Sequence, residues 1–350
     1  MHNTSMPFRI LYDGWPLVHS PLSAAAWHLR TLLAMNLEDV QPIMALPTEP
    51  NEADLGNGWE TVFDHTRDRG EWEQRSLQHL AMEHKANLIH STSLAASLFG
   101  KIPTMISPAE TEAANRSRLG EALGRGGLAR AKILWPNDMP EAKLPGELRR
   151  LPPVVHPEFS SSRGDVPVNQ NLPEEFLLLD GIPNEEAALQ LLESWTWAAA
   201  SIGELYPLVV VGINDAMQKF LLSHLPEFHV QESVQMPSSF QAQEFPNIYK
   251  ACTALVHLGS PAPWGNPLRS VLACGKAIVA QKEANTEAIV VSAAYLIEPE
   301  DLRSFGAAMI TVVVDEKARE KLENAARDRA AHWSAKKYQD ALITVYREKL

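Results

Sequence analysis

Residues 253–281 constrain the fold of this chain more than any other stretch. A short apolar run ends at Gly259, Asn266 and Pro267 are typical of a helix start, and Gly275 is typical of a helix end. Proline is favoured at the first helical position because the N–H that it lacks would have no partner there. A second apolar run follows Gly275. The stretch therefore predicts strand, loop, helix and strand, the repeating unit of a parallel sheet covered by helices.

The connection between the first of these strands and the helix is also a candidate anion site. Its backbone N–H groups and the positive end of the helix dipole point towards whatever lies above the sheet. In an open parallel sheet, this is the edge at which ligands bind. Arg269 stands in the first turn of the predicted helix, where a cation opposes the dipole by about 0.3–1 kcal/mol unless an anion lies nearby. The alternative is an exposed Arg269 that lies over the helix and pairs with an acid.

Strand and helix patterns alternate along both halves of the chain, which at 350 residues fits two domains of roughly 150–200 residues each. Such alternation predicts two doubly wound parallel α/β sheets. The predicted strands include Phe8–Tyr12, Gln41–Leu46, Ala86–His90, Phe176–Asp180, Leu208–Val211 and Phe228–Ser233. The glycine-rich run Gly124–Gly127 does not follow a clear strand, and we predict a flexible loop there.

Charge and motif content narrow the functional class. The formal net charge of −12 argues against nucleic acid as the main partner, because nucleic-acid binders cluster Lys and Arg on one surface. No Cys/His set has zinc spacing, and no P-loop, G-x-G-x-x-G or G-x-S-x-G motif occurs. We therefore expect neither a metal nor a bound cofactor.

The cysteines and the apolar segments indicate the cellular compartment in which the protein is expected. Cys252 and Cys274 both stand in apolar segments and are predicted to be reduced core residues. The first residues show no basic segment followed by a long apolar one, and no apolar run reaches the length of a membrane span. We expect a cytoplasmic protein without a transmembrane segment.

The segment PAPWGNPLRSVLACGKAIVA, which begins at Pro261, resembles the donor-binding segment of family 4 of the retaining GT-B glycosyltransferases. The usual form in that family is E-G-F-G-L-P-x-L-E-A-M-A-C-G-x-P-V-V. The positions in register are Gly265, Pro267, Leu272, Ala273, Cys274 and Gly275. The two glutamates of the pattern fall on Ala262 and Ser270.

The resemblance implies a GT-B architecture, in which two Rossmann-like domains face each other across a cleft. It would assign residues 1–159 to an acceptor-side domain, residues 160–172 to a linker, residues 173–332 to a donor-side domain, and residues 333–350 to a helix that crosses back to the first domain. The implied reaction is retaining transfer of a hexosyl group from a nucleotide-sugar to a glycan or another acceptor.

The resemblance also implies a set of site residues. The donor side comprises Gly181, Trp264, Gly265, Asn266, Arg269 and Ser270, and the acceptor side comprises His90 and Ser107. For Trp264, packing on a base or sugar and packing on the sheet edge both remain open. For His90, the alternative to an acceptor contact is a capped structural residue at a strand end. His257 is predicted to be a hydrogen-bonded core histidine.

Five features of the family are replaced in this chain. Ala24-Ala25-Ala26 stands at the glycine turn and is predicted to be an ordinary helix start, the alternative being a modified ligand loop. Pro108 stands near the position of a sugar-contacting histidine, and Glu185 and Glu186 stand where an Arg and a Lys neutralise the diphosphate. Both glutamates of the donor segment are also replaced.

Two hypotheses follow from these replacements. In the first, the protein is a divergent transferase that binds its donor through Gly265, Asn266, Arg269 and Ser270. In the second, it is a non-catalytic member of the family that acts as a scaffold or regulatory partner of another protein or of a second copy of itself. A fold alone does not decide between the two.

Overall fold

The structure is a computed structural model, and it describes residues 8–38, 40–49, 59–110, 118–160, 172–237 and 240–348. The chain divides into two compact units. The first comprises Met1–His156, Ala262–Asn266 and Ser334–Leu350, and the second comprises Pro157–Pro261 and Pro267–Trp333. Apart from its two ends, the predicted linker at residues 160–172 lies outside the described residues.

The strands and helices are numbered here in chain order. The strands are β1 (Phe8–Asp13), β2 (Val40–Leu46), β3 (Glu60–Phe63), β4 (Leu88–Ser91), β5 (Thr104–Ile106), β6 (Lys132–Pro136), β7 (Glu147–Leu151), β8 (Leu177–Asp180), β9 (Leu208–Val211), β10 (Val234–Gln235), β11 (Ala254–His257), β12 (Ala277–Gln281) and β13 (Ala294–Ile297). The α-helices are α1 (Trp15–His19), α2 (Ala24–Leu33), α3 (Arg69–Glu71), α4 (Leu77–Glu83), α5 (Arg118–Leu128), α6 (Pro157–Ser160), α7 (Glu185–Ile202), α8 (Asp215–His224), α9 (Phe245–Ala251), α10 (Pro267–Ala273), α11 (Ala284–Val290), α12 (Leu302–Val314), α13 (Glu316–Ala331) and α14 (Ala335–Arg347). A π-helical turn at Trp72–Ser76 joins α3 to α4, and a 3₁₀ turn at Ala242–Glu244 precedes α9.

The first unit is built on a seven-stranded sheet with the order β3-β2-β1-β4-β5-β6-β7. Its strands pair in parallel. One face carries a core that includes residues of α2 and α14, among them Leu29, Tyr338 and Leu342. The opposite face packs against the segment around α4, where Trp72 and Leu80 are buried. Ser23 caps α2 by accepting a hydrogen bond from the N–H of Ala26, so the predicted helix start at Ala24 is confirmed.

The second unit is built on a six-stranded parallel sheet with the order β10-β9-β8-β11-β12-β13. Its largest core lies between one face of the sheet and the helices α7 and α12, and it includes Leu179, Trp195, Val256 and Met309. In both units the strand order reverses direction beside the first strand, which is the doubly wound pattern. The predicted pair of doubly wound parallel sheets is therefore confirmed.

Several local predictions are wrong. Phe228–Ser233 forms turns instead of a strand, and the strand β10 follows it. Gly124–Gly127 lies inside α5 instead of in a loop. Two short strands, β3 and β7, are not among the predicted ones.

A helix that crosses a bilayer needs about 20 mostly apolar residues. Within the described ranges, no helix combines the length and the apolar character needed to cross a bilayer.

Candidate functional site

Three neighbouring strands of the second sheet end at a glycine with a positive φ angle. Gly212 follows β9 with φ 67°, Gly181 follows β8 with φ 79°, and Gly259 follows β11 with φ 71°. The left-handed region of φ/ψ space is costly for residues that carry a Cβ atom. The backbone therefore turns sharply after each of these three strands, and glycine residues without side chains lie along the carboxyl edge of the sheet.

This edge includes the point at which the strand order reverses, between β8 and β11. Open parallel sheets bind ligands outside the carboxyl ends of the strands at such a point. At Gly181 there is room for a ligand, because among the described residues the nearest neighbour of an added Cβ atom is the carbonyl oxygen of Gly212, 4.0 Å away. At Gly259 the backbone N–H donates to the Oε1 atom of Gln281 at 3.0 Å.

Two polar side chains that sequence reasoning did not connect lie at the end of β8. The hydroxyl of Tyr249, on α9, donates a short hydrogen bond to the Oδ2 atom of Asp180. Loss of hydration raises the pKa of Asp180 to about 6, and the hydrogen bond from Tyr249 partly opposes that rise. The acid in the run Phe176–Asp180 is visible in the sequence, but its partner is 69 residues away.

His257, the last residue of β11, is buried as predicted, with 7% of its surface exposed. The ring has a hydrogen bond with the backbone of Gly259, so the prediction of a hydrogen-bonded core histidine is confirmed. Its Nε2 atom has no hydrogen-bond partner among the described residues. Loss of hydration lowers the pKa of His257 to about 4, so the ring is neutral near pH 7.

Amide and hydroxyl side chains lie at the ends of β11 and β12, and Lys282, the residue after β12, pairs with Glu298. The Nε2 atom of Gln281 lies 3.3 Å from the Oε1 atom of Gln190, and the Nδ2 atom of Asn285 donates to the hydroxyl of Ser260 at 3.0 Å. Within the described ranges, no three His, Cys, Asp or Glu side chains are grouped so that they could hold a metal ion.

Of the predicted donor-side residues, Gly181, Arg269 and Ser270 belong to the second unit. Arg269 and Ser270 lie on α10, and both are buried, with 2% and 6% of their surfaces exposed. The alternative of an exposed Arg269 lying over the helix is therefore wrong. The acids that replace the family's cations, Glu185 and Glu186, occupy the first turn of α7 and are exposed.

The other predicted donor-side residues, Trp264, Gly265 and Asn266, belong to the first unit. Trp264 is fully buried in the core of that unit, where its indole N–H donates to the carbonyl oxygen of Leu134 at 2.9 Å and its ring stacks on His28 at 5.0 Å. Gly265 meets the start of α2 so closely that an added Cβ would lie 2.0 Å from the carbonyl oxygen of Ala24.

Asn266 is also fully buried, and its Nδ2 atom donates to the carbonyl oxygen of Ala262 at 2.8 Å. That bond crosses the base of the loop that carries Trp264 and Gly265. The side chain of Asn266 therefore holds the shape of this loop.

The predicted acceptor-side residues lie together in the first unit. The Nε2 atom of His90 is 2.7 Å from the hydroxyl of Ser107, and its Nδ1 atom is 2.5 Å from the hydroxyl of Tyr346 on α14. Both His90 and Ser107 are buried, and loss of hydration lowers the pKa of His90 to about 3. The hydroxyl of Tyr12 lies 3.2 Å from that of Tyr346 and extends the buried chain of polar groups.

A second polar cluster at the carboxyl edge of the first sheet was missed by the sequence reasoning. Asp13, at the end of β1, accepts hydrogen bonds from the indole N–H of Trp72 at 2.8 Å, from the hydroxyl of Ser91 at 2.7 Å and from the N–H of Trp15 at 3.1 Å. These three donors come from separate parts of the chain. Only the Asp13-Gly14 pair was visible in the sequence, as the start of a loop.

Part of the second unit is similar to a known protein family. Residues 180–329 match the model of the family described as Glycosyl transferases group 1. No protein among those with curated descriptions matches this sequence.

Solved structures match the whole chain. The sucrose-phosphate synthase of Thermosynechococcus elongatus is 15% identical with a TM-score of 0.71, and the match covers 97% of this chain and 98% of that one. Anabaena HepE, in complex with UDP and glucose, is 11% identical with a TM-score of 0.66 over 97% of this chain and 100% of that one. The UDP-forming α,α-trehalose-phosphate synthase of Burkholderia vietnamiensis is 11% identical with a TM-score of 0.64 over 99% and 100% of the two chains.

Proposed function

We propose that this chain binds a nucleotide-sugar and transfers the sugar to an acceptor, because it has the predicted GT-B fold and its residues 180–329 match the family model of group 1 glycosyl transferases. The donor lies, in this proposal, over the carboxyl edge of the second sheet. Its acceptor is a glycan or another hydroxyl-bearing molecule.

One observation carries the proposal. The strands β9, β8 and β11 are neighbours, and all three end at a glycine with a positive φ angle, beside the reversal of strand order. Bare backbone along such an edge lets a ligand approach closely, above all at Gly181, where an added Cβ atom would meet no described atom nearer than 4.0 Å. The same edge lies inside the range that the family model matches.

The side chains around this edge demand a donor held mainly by neutral groups. A diphosphate gains most from cations, yet Glu185 and Glu186 are exposed in the first turn of the helix that follows Gly181. Gln281, Asn285 and Ser260 at the neighbouring strand ends suit the hydroxyl groups of a sugar. We therefore expect affinities in the micromolar range or weaker.

The choice of the first donor to test follows from the similar structures. HepE is in complex with UDP and glucose, and the trehalose-phosphate synthase is described as UDP-forming. UDP-glucose is accordingly the first compound to test, with UDP and GDP-mannose beside it.

Titration calorimetry with these three compounds tests donor binding, and release of UDP in the presence of glucose or glucose phosphates tests transfer. We expect binding of at least one compound, and we expect Gly181→Ala to weaken it because the added methyl group enters the space above β8 and is strained at φ 79°. Gly126→Ala, in the helix α5 of the first unit, is the matched control. Absence of binding to all three compounds by a folded protein would contradict the proposal.

A second candidate, a non-catalytic scaffold or regulatory partner, is favoured by a different observation. The side chains of Trp264 and Asn266 both have hydrogen-bond partners within the first unit, and Ala262 stands where the family has a glutamate. A protein that binds none of the nucleotides, keeps its fold and purifies as a discrete complex with another protein or with itself would support this candidate.

A further inference from the structure

Asp180 and His257 are the last residues of the two strands that flank the reversal of strand order. The parallel pair β8–β11 is in register at Leu179 and Val256, and each chain continues for one more strand residue. Leu179 and Val256 both face the core formed with α7 and α12. Because successive side chains alternate between the faces of a strand, Asp180 and His257 share the opposite face, next to each other.

Contacts of Asp180 fix its side chain on that opposite face. The hydroxyl of Tyr249 on α9 donates to its Oδ2 atom, and its Oδ1 atom would lie 2.0 Å from a Cβ atom added at Gly212. The carboxyl group therefore lies beside the bare end of β9. It is partly exposed to solvent.

The ring of His257 adds a second polar group without a complete set of partners. Its Nε2 atom is buried and has no hydrogen-bond partner in the part of the chain that the structure describes. A buried polar atom without a partner destabilises the folded chain. A ligand that supplied a hydrogen bond at this position would remove that destabilisation.

We propose that Asp180 and His257 form a hydroxyl-binding subsite for the ligand of the second unit. The carboxylate accepts hydrogen bonds from one or two ligand hydroxyls, and the neutral imidazole accepts or donates one more. The chemistry fits adjacent hydroxyl groups on a ring, as in a ribose or a hexose. Tyr249 is a positioning residue that orients Asp180. This inference rests on the proposed binding of a nucleotide-sugar at the same edge.

The subsite also supplies a carboxylate that the donor segment lacks. The two glutamates of the donor segment fall on Ala262 and Ser270, so no carboxylate stands at either position. Asp180 supplies a carboxylate from a different strand. Its hydrogen bonds are stronger than those of a neutral acceptor, because the acceptor is ionised.

Titration calorimetry of Asp180→Asn and His257→Asn with UDP-glucose, UDP and 2′-deoxy-UDP-glucose tests the subsite. Asn at 180 keeps an acceptor for Tyr249 and nearly the same volume, and thermal unfolding verifies that each variant is folded. We expect roughly 10- to 100-fold weaker binding of UDP-glucose by both variants. Asp215→Asn, at an exposed position on α8, is the matched control and should bind like the wild type.

The three compounds separate the two possible sources of the hydroxyls. If they belong to the ribose, the variants lose affinity for UDP as well, and 2′-deoxy-UDP-glucose is bound equally weakly by the wild type and the variants. If they belong to the sugar, the variants lose affinity for UDP-glucose and its deoxy analogue but not for UDP. Both results support the subsite.

The variant Tyr249→Phe distinguishes the orientation of Asp180 by Tyr249 from a general loss of structure. Removing the hydrogen bond from Tyr249 takes away an interaction that lowers the pKa of Asp180. The fall of affinity with decreasing pH should therefore begin at a higher pH in Tyr249→Phe than in the wild type. Wild-type binding that both Asn variants retain would overturn the subsite alone, whereas no binding by the wild type would overturn the proposed function together with it.

Discussion

The indole N–H of Trp264 donates a hydrogen bond to the carbonyl oxygen of Leu134, 2.9 Å away, inside the core of the first unit. Trp264 stands in the segment whose pattern most strongly resembles a donor site, yet its entire side chain is buried. The loop that carries it runs between two segments of the second unit, Pro157–Pro261 and Pro267–Trp333. The residue is thus a structural member of the first unit.

Trp264→Ala should destabilise the protein by about 3–5 kcal/mol, because it removes a fully buried large side chain and leaves a cavity. Trp264→Phe should cost about 1–3 kcal/mol through the unpaired carbonyl of Leu134 and the lost volume. Urea unfolding measures both. Trp197→Ala, at a tryptophan that is 52% exposed, is the control and should cost much less; equal effects at the two positions would refute the structural role of Trp264.

Tyr346→Phe should destabilise the protein by about 1–3 kcal/mol, because the buried Nδ1 atom of His90 loses its partner on α14. The hydroxyl of Tyr12 loses a partner in the same variant. Chemical denaturation gives the magnitude. Tyr295→Phe, at a partly exposed tyrosine of β13, serves for comparison, and a null effect of Tyr346→Phe would show that the buried chain of polar groups contributes nothing.

Stability should fall as the pH is lowered from 7 towards 4. Burial lowers the pKa of His90 to about 3 and those of His156 and His257 to about 4, below the ordinary value of 6.5. Below pH 6.5 the unfolded chain therefore binds protons that the folded chain does not, and each histidine contributes up to about 1.4 kcal/mol of lost stability per pH unit.

Asp180 has the opposite effect on the pH dependence of stability. Its folded pKa of about 6 is above its ordinary 3.8, so its contribution to stability is complete below pH 3.8 and is lost as the pH rises through 6. Unfolding free energies of the wild type and Asp180→Asn between pH 7 and 4 test both statements. The variant should lose stability more steeply on acidification; a flatter profile would contradict the assigned sign.

Gly212→Ala should destabilise the second unit by at least about 1–2 kcal/mol, because alanine is strained at φ 67° and its methyl group would overlap the Oδ1 atom of Asp180. Gly126→Ala makes the same change inside α5, where the nearest atom is the end of a leucine side chain at 3.2 Å. Alanine is the better helix former, so that variant should be neutral or slightly stabilised. Thermal unfolding that ranks the two variants in the reverse order would exclude strain at Gly212.

Local sequence patterns predicted those strands and helices whose boundaries are marked by residues within or next to the element itself. The strands β8, β9, β11 and β12 are short apolar runs bounded by glycine or polar residues, and the capping side chains Ser23 and Asn184 stand in the sequence where their helices begin. For such elements the signal and its cause lie within a few residues of each other. The doubly wound architecture follows from their alternation.

Elements that depend on tertiary contact were mispredicted. The glycines of α5 indicate a loop by composition, but Gly124 and Gly127 are buried, and an added Cβ at Gly127 would lie 2.0 Å from the carbonyl oxygen of Ala96. The helix uses glycine so that it can approach residues 95–97 closely. Nothing within the segment itself reveals that neighbour.

The candidate site also combines features that local sequence reveals with features that depend on tertiary structure. The three glycines at the strand ends are visible in the sequence, two directly after an apolar run and Gly181 after such a run and Asp180. The partnership of Asp180 with Tyr249 and the adjacency of Asp180 and His257 depend on strand order and register, which a single sequence does not reveal.

Hydrogen–deuterium exchange of the wild-type protein, with and without saturating UDP-glucose, tests most directly whether the carboxyl edge of the second sheet binds a nucleotide-sugar. The account predicts slower exchange on ligand addition in the segments that follow β8, β9 and β11, around Gly181, Gly212 and Gly259. Unchanged exchange in all three segments would contradict it.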